Sequence, residues 1–282
     1  MLKPGQIIEV NIIDVNHLGK GVAKIDDFVV FINDSITEDI VLTKITEVKK
    51  NYAIGELLKI ITKSKYRIKP PCEYYYQCGG CQIMHMKYKE QLKLKKTRVI
   101  NELRRASVQI EDVTIYDTIG MDEPVRYRNK TTFSVAKKNN EVIIGPYEQG
   151  TYNTVNIEGC LLQSVESDKV VRLFKGIMIK YNIEPYDKKT GKGTIRNIII
   201  RSNKQNELML IIVTSTENLP YKNEIIKELT LNIKEIKTIV QNINSKNTNL
   251  VVGRKNITIY GEGTIKDSIN DLIFTISPDT FR

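Results

Sequence analysis

Residues 19–32 read GKGVAKIDDFVVFI, two short apolar strand segments on either side of a turn signal. Three more strand-like segments surround them: residues 7–12 come before, and residues 40–45 and 52–58 follow. Short strands separated by turn residues are typical of small barrels of the OB type. The sequence therefore predicts an OB-like five-stranded β-barrel over residues 1–60.

Length and composition limit the classes of protein to consider. The chain has 282 residues, of which 41% are hydrophobic and 27% charged, as in a globular protein of about two domains. It contains no run of about 18 apolar residues and no leader-like start. We therefore expect a soluble, cytoplasmic monomer that makes no membrane contact.

The net charge of +10 is concentrated in one segment. Residues 1–60 hold seven basic and nine acidic side chains, whereas residues 61–105 hold twelve basic and three acidic ones. A solvated helix face explains many basic runs, but this bias exceeds what solubility needs and favours a polyanion such as RNA as partner. The residues of this segment that we predict to bind RNA are Lys63, Lys65, Arg67, Lys89, Lys93 and Lys96.

A helix is expected after the cysteine-rich loop of this basic segment. Tyr88, Leu92, Val99 and Leu103 recur at helical spacing and predict an amphipathic basic helix over residues 87–105. The segment 61–105 is thus a cysteine loop followed by a basic helix.

Residues 106–275 alternate hairpins with helices. Polar turns at 137–140 and 203–206 each separate two apolar strands, which indicates two hairpins. Ser167 is expected to cap one helix, and Pro220 to start another. This segment is predicted to be a central mixed α/β domain with a mostly antiparallel sheet, so the fold class of the chain is α+β.

The cysteines predict a metal site. Cys72, Cys78 and Cys81 lie within ten residues, Gly79-Gly80 lets their loop curl, and Cys160 supplies a fourth thiol. Four thiolates suit either an iron–sulfur cluster or tetrahedral zinc. Three clustered cysteines plus a distant one are more typical of iron–sulfur proteins than of paired zinc knuckles.

Taken together, these motifs resemble the iron–sulfur-containing TRAM-domain RNA uracil-C5 methyltransferases, which act on 23S ribosomal RNA or transfer RNA. Residues 19–32 are similar to their TRAM domain, 72–82 to their cluster loop, and 127–130 to a motif of their central domain. Ile276-Ser277-Pro278 resembles the start of their next motif. Further similar motifs lie at 145–147, 159–160 and 241–244.

The resemblance implies roles for individual residues. It assigns a 4Fe–4S cluster to the cysteines, and it places Arg128 and Lys130 on the RNA side of the central domain. His85 could be a zinc ligand, although a packing histidine is the favoured interpretation. The implied cluster ligands are Cys72, Cys78, Cys81 and Cys160.

The resemblance also implies which residues catalysis would need. In the family, a cysteine adds to C6 of uracil, because C5 is otherwise too weak a nucleophile to attack the methyl group of S-adenosylmethionine. All four cysteines are assigned to the cluster, and the Gly-x-Gly pairs at 191–193 and 261–263 are interpreted as turn glycines. We therefore expect no catalytic and no cofactor-binding residues in this chain, with S-adenosylmethionine used only by the intact family member.

The predicted domains are residues 1–60, 61–105, 106–275 and 276–282, the last being the start of a Rossmann-like methyltransferase domain that is otherwise absent. The predicted function is the RNA-recognition portion of an RNA (uracil-C5) methyltransferase, inactive by itself. The alternative is a stand-alone, non-enzymatic RNA-binding protein with an iron–sulfur or zinc site.

Overall fold

The computed structural model describes residues 2–280, which divide into two compact units. Unit 1 comprises the chain up to Tyr75 together with Cys81–Pro124, and unit 2 comprises Tyr76–Gly80 and the chain from Val125 onward. The predicted domain boundaries after positions 60, 105 and 275 stay predictions.

Unit 1 is built on a six-stranded sheet. The strand order is β1-β5-β6-β4-β3-β2, and all neighbours are antiparallel except the parallel pair β4 and β6. The predicted number of five strands is one too small, because β2 has only two residues and so shows no periodic pattern. The strands are β1 (Ile7–Asn11), β2 (Asp14–Val15), β3 (Gly21–Ile25), β4 (Phe28–Ile32), β5 (Ile40–Val48) and β6 (Tyr52–Thr62).

Alternating side chains of these strands form the core of unit 1. In β4, Val30 and Ile32 are fully buried while their neighbours Val29 and Phe31 are only partly buried, since successive side chains of a strand point to opposite faces. Burying each such valine or isoleucine stabilises the fold by about 1.5–3 kcal/mol. Other strands add Val10, Ile12, Ala23, Val41, Ile45 and Ala53 to this core.

The predicted basic helix is confirmed as α1 (Tyr88–Arg105). None of its residues is fully buried, and Val99 of the predicted apolar stripe is 52% exposed. Thr118 donates a hydrogen bond from its hydroxyl to the carbonyl oxygen of Leu92 at 3.0 Å. Helix α1 therefore lies at the surface of unit 1, and the contact from Thr118 holds it at Leu92.

Unit 2 contains a second six-stranded sheet and two helices. The strand order is β12-β11-β10-β9-β7-β8, and only β10 and β11 are parallel. The helices are α2 (Val165–Lys180) and α3 (Lys222–Asn232). The strands of this sheet are β7 (Lys130–Lys138), β8 (Glu141–Gly145), β9 (Ile195–Ser202), β10 (Leu208–Thr214), β11 (Ile236–Ile243) and β12 (Lys255–Tyr260).

Both helices of unit 2 begin at other residues than predicted. Ser164, and not Ser167, caps α2: its hydroxyl oxygen accepts the N–H of Ser167 at 3.1 Å, which satisfies one unpaired donor of the first turn. Helix α3 begins at Lys222, two residues beyond Pro220. Its position between β10 and β11 explains why these two strands can be parallel.

The two central strands of this sheet, β9 and β10, are buried at every residue. A hairpin of β13 (Ile265–Ile269) and β14 (Leu272–Ile276) contributes Ile265 and Ile276 to the core on one face. Phe281 and Arg282, which end the segment predicted as the start of a methyltransferase domain, lie outside the described residues.

Candidate functional site

The cysteine loop lies where the two units divide the chain. Cys72 and Cys81 belong to unit 1, whereas Cys78 and Cys160 belong to unit 2. All four side chains are partly buried. Among residues 2–280, no three His, Cys, Asp or Glu side chains are grouped so that they could hold a metal ion.

Within unit 2, the tip of the cysteine loop is held by backbone contacts. Gly79 donates its N–H to the carbonyl oxygen of Tyr147 at 2.9 Å, and a Cβ at this position would lie 3.1 Å from the Cα of Gln149. Gly80 donates its N–H to the Sγ of Cys78 at 3.2 Å. Two successive glycines therefore allow a close approach of backbone to backbone and of backbone to sulfur.

Cys160 is positioned by Asp168 in the first turn of α2. The Oδ1 of Asp168 accepts the N–H of Cys160 at 2.8 Å and the side-chain amide of Gln163 at 2.6 Å. Its Oδ2 accepts the Nη1 of Arg126 at 2.7 Å, and the same Nη1 donates to the carbonyl oxygen of Cys160 at 2.7 Å. We call this group the Asp168 network.

The sequence-based prediction of site residues missed the Asp168 network. The signal in the sequence was Asp168, which follows the predicted metal ligand Cys160 by eight residues. It also lies close to the expected start of a helix, where a negative charge is favourable. The partner Arg126 is 42 residues away in sequence. Only the folded chain shows that these side chains meet.

The predicted RNA-binding residues differ in exposure. Lys63, Lys65 and Lys89 are exposed, and Lys65 lies 3.5 Å from the Oε2 of Glu38. Lys93 pairs with Glu90 at 2.8 Å, and Lys96 pairs with Asp117 at 2.9 Å. In unit 2, Arg128 is exposed and donates to the carbonyl oxygen of Gly80 at 3.1 Å, while Lys130 is partly buried at the start of β7.

Arg67 is turned into unit 1. Its Nε donates to both carboxylate oxygens of Asp39, at 3.1 and 3.2 Å, and its Nη2 donates to the carbonyl oxygen of Asp34 at 2.7 Å. Asp39 also accepts the N–H groups of Ser64 at 2.9 Å and of Ile36 at 2.8 Å. The guanidinium group of Arg67 is thus engaged inside unit 1, and the predicted contact of Arg67 with RNA stays a prediction.

His85 is a packing residue with no exposed surface. Its Nδ1 contacts the hydroxyl of Tyr75, which donates to the carbonyl oxygen of Gln82 at 2.7 Å. Burial, together with the nearby positive charge of Arg67, lowers the pKa of His85 to about 4. The side chain is therefore neutral in the folded protein at pH 7.

We expect this buried histidine to make the protein less stable in mild acid. Between about pH 6.5 and about pH 4, the unfolded chain binds a proton at His85 that the folded chain does not, so the free energy of unfolding falls by about 3 kcal/mol. Urea unfolding followed by circular dichroism across this range measures the change. His17→Gln, at the exposed second histidine, should keep the full pH dependence, and His85→Gln should lose most of it. An equal fall in both variants would contradict the assignment.

The two Gly-x-Gly pairs are turn glycines in the structure. Gly191, Gly193, Gly261 and Gly263 all have positive φ angles between 71° and 90° and lie between named strands and helices. Neither pair joins a strand to a helix, so neither forms a dinucleotide-type cofactor loop. No helix among residues 2–280 is long and apolar enough to cross a membrane.

Three comparisons bear on this arrangement. The family model of the TRAM domain matches residues 2–58, which confirms the resemblance of the first strands to that domain. An uncharacterized RNA methyltransferase of Clostridium acetobutylicum is 41% identical over 282 residues, which is 99% of this chain and 61% of that protein. One from Staphylococcus aureus is 39% identical over 96% of this chain and 60% of its own length.

A solved structure shares the fold. Pyrococcus abyssi tRNA (uracil-54, C5)-methyltransferase, in complex with S-adenosyl-L-homocysteine, aligns with a TM-score of 0.73 at 18% identity. The alignment covers 97% of this chain and 60% of that one. The chain thus spans about three fifths of the length of the proteins that it matches.

These matches correct two predictions. The predicted fold class included an absent methyltransferase domain, and the predicted function was RNA recognition without catalysis. Both are contradicted, because proteins named RNA methyltransferases match along 99% and 96% of this chain and a methyltransferase structure covers 97% of it. The error came from counting spare cysteines and from the point at which the sequence ends, and neither establishes what the protein lacks.

Proposed function

We propose that this protein takes part in methylating RNA at C5 of uracil, with S-adenosylmethionine as the methyl donor. The observation that carries the proposal is 41% identity along 99% of the chain to an RNA methyltransferase. The choice of uracil C5 follows the enzyme whose structure shares the fold. We further propose that the protein is a monomer that acts in the cytoplasm on 23S ribosomal RNA or on transfer RNA.

The test offers the purified protein S-adenosylmethionine with a tritiated methyl group, together with unmodified 23S ribosomal RNA or unmodified transfer RNA. We expect labelled 5-methyluridine after digestion of one of these RNAs to nucleosides. Label at a different atom would overturn the choice of uracil C5. RNA binding without any label would overturn the proposed methylation.

We propose that basic side chains in both units, most of them exposed and the others partly buried, contact RNA phosphates. Lysine and arginine side chains displace counterions from RNA, so exposed residues of this kind supply sequence-independent affinity. Lys93, like any exposed lysine, is charged at pH 7, and its hydrogen bond to Glu90 raises its pKa further. The proposed contacts are Lys63, Lys65, Lys89, Lys93 and Lys96 in unit 1 and Arg128 and Lys130 in unit 2.

Neutralising the lysines of α1 should weaken the salt dependence of RNA binding. For Lys89→Gln, Lys93→Gln and Lys96→Gln combined, we expect the slope of log K against log salt concentration to flatten by about 2, since each lost phosphate contact removes about 0.7–0.9. Fluorescence anisotropy of labelled RNA at a series of salt concentrations measures this slope.

The matched control changes the same charge on another helix. Lys222, Lys227 and Lys234 are exposed on or beside α3, and their combined replacement by glutamine should leave most of the slope intact. Equal slopes for the parent protein and the α1 variant would mean that the helix face is merely solvated.

We also propose that the four cysteines bind a 4Fe–4S cluster. The support for this proposal is the chemistry of the residue types, and the arrangement of the side chains in residues 2–280 does not add to it. Four thiolates are the usual ligands of such a cluster, and hydrogen bonds to sulfur, like that from Gly80 to Cys78, tune it. With every iron ligated by protein, the cluster would be structural. Protein purified without oxygen should hold about four irons per chain and absorb light at about 400 nm. Stoichiometric zinc without iron would overturn this.

A further inference from the structure

A cleft in unit 2 adjoins the tip of the cysteine loop, because Tyr147, which lines it, accepts the N–H of Gly79 at 2.9 Å. Its lining includes none of the four cysteines and none of the predicted RNA-binding residues. Its walls come from the end of β7, the loop 147–154, the turn 185–189, the start of β9 and residues 249–251. Its volume is about 390 Å³, within the range of about 300–1,000 Å³ that is typical of sites for small ligands. We call it the tyrosine cleft.

Three tyrosines line this cleft. Tyr147 and Tyr152 meet edge to face, with ring centroids 5.7 Å apart and planes at 80°. Tyr152 is 70% exposed, so its ring is held from one side and open on another. The centroid of the third ring, Tyr186, lies 4.6 Å from the guanidinium carbon of Arg196. A flat, exposed aromatic ring such as that of Tyr152 is the kind of surface on which unpaired bases stack.

The charge of the cleft favours an anion. Lys137, Lys188, Lys189 and Arg196 line it, against the single acidic lining residue Asp187. Lys137 is paired with Glu184 at 3.0 Å, which leaves Lys188, Lys189 and Arg196 as the excess. The carboxylate of Asp187 accepts the backbone N–H of Lys189 at 2.7 Å, which satisfies part of its negative charge within its own turn. A phosphate group entering the cleft would therefore meet an excess of positive charge.

Two of these cations, Arg196 and Lys188, differ in burial and in their contacts. Arg196 is buried, and its Nη1 donates to the carbonyl oxygens of Asn244 and Lys246, both at 2.8 Å, so it is a fixed wall beneath Tyr186. Lys188 is exposed, with its Nζ 5.5 Å from the centroid of the Tyr152 ring. This lysine can reach a phosphate whose base stacks on that ring.

Amide side chains complete the lining. Asn153, Asn197 and Asn249 all border the cleft. Asn153 donates to Glu148 and Asn197 to the carbonyl oxygen of Phe133, but an amide both donates and accepts hydrogen bonds, as the edge of a base does. A base that is paired in a duplex has already used that edge. The cleft therefore suits an unpaired nucleotide better than a helix.

We infer that the tyrosine cleft binds one unpaired nucleotide of the RNA, with its base stacked on Tyr152 and its phosphate near Lys188. The inference rests on the proposed function, since it assumes that RNA is the partner, and it adds a position at which a single-stranded segment is held. Nothing in the sequence indicated it, because its walls come from five separated stretches of chain.

The test uses Tyr152→Ala and measures the anisotropy of a short fluorescein-labelled oligouridine, single-stranded or annealed to oligoadenosine. We expect the Kd for the single strand to rise roughly 5- to 150-fold, the range for loss of one base-stacking ring, and the Kd for the duplex to stay the same. Tyr152→Phe keeps the ring and should bind like the parent protein. Tyr260→Ala removes an exposed tyrosine of unit 2 outside the cleft and should also bind normally.

These binding measurements separate a failure of the cleft inference from a failure of the proposed function. If the parent protein binds the single strand and Tyr152→Ala binds it equally well, the cleft inference is wrong while RNA binding stands. If the parent protein binds no RNA, the proposed function fails and the cleft inference fails with it. If Tyr152→Ala weakens duplex and single strand alike, the cleft does not select unpaired bases. Irradiation of an oligouridine that carries 4-thiouridine should attach it to the peptide that contains Tyr152.

Discussion

Replacement of Arg67 by alanine is expected to lower the free energy of unfolding by about 3–5 kcal/mol, because it leaves a buried carboxylate without its charged partner. The side chain of Asp39 has no exposed surface, and that of Arg67 is 7% exposed. Burial alone would raise the pKa of Asp39, but hydrogen bonds from Arg67 and from the N–H groups of Ser64 and Ile36 together outweigh it and lower this pKa. Urea unfolding at pH 7, followed by circular dichroism, measures the loss.

A surface pair provides the matched control. Lys65 and Glu38 lie 3.5 Å apart with side chains 68% and 46% exposed, so Lys65→Ala should cost less than about 1 kcal/mol. Combining Arg67→Met with Asp39→Asn removes both charges but keeps one side-chain oxygen as an acceptor for the N–H of Ser64 or of Ile36, and it should recover part of the stability that Arg67→Ala loses. A loss below about 1 kcal/mol for Arg67→Ala would show that this ion pair does not hold unit 1 together.

Replacement of Asp168 by alanine should have the second largest effect, a loss of about 2–4 kcal/mol. It leaves the N–H of Cys160, the amide of Gln163 and the guanidinium group of Arg126 without their shared acceptor. The expected loss is smaller than for Arg67→Ala because the side chain of Arg126 is 36% exposed and water can replace part of the interaction. Under the cluster proposal, the variant should also retain less iron, since Cys160 loses the contact that positions it.

Glu166 supplies the control for Asp168, because it is the other acidic residue in the first turn of α2. Glu166→Ala loses only a favourable charge near a helix N-terminus, about 0.3–1 kcal/mol, and should leave the iron content unchanged. Equal stability losses for Glu166→Ala and Asp168→Ala would mean that Asp168 stabilises the protein only through its charge near the N-terminus of α2, and not through its hydrogen bonds. Unfolding curves and iron analysis on the same preparations separate the two contributions.

Local patterns predicted most elements of this chain. The polar turns at 137–140 and 203–206 do separate antiparallel strands, and the apolar spacing after the cysteine loop does mark a helix. Prediction failed for the two-residue strand β2 and for the cap of α2, where Ser164 and Ser167 are equally good capping residues in sequence. Which serine accepts the N–H depends on where the helix begins, and packing decides that.

For the candidate sites, the sequence by itself determined which chemistry is present: four cysteine thiols, a basic segment and a run of short strands that belongs to a TRAM domain. Only the tertiary structure decided that Arg67 of the basic segment is buried against Asp39, that Arg126 meets Asp168, and that tyrosines from separated loops form one cleft. The physical reason is that residue type and spacing set local conformation and net charge. Whether a charged side chain faces water or a partner depends on contacts between residues that are tens of positions apart, and these form only when the chain folds.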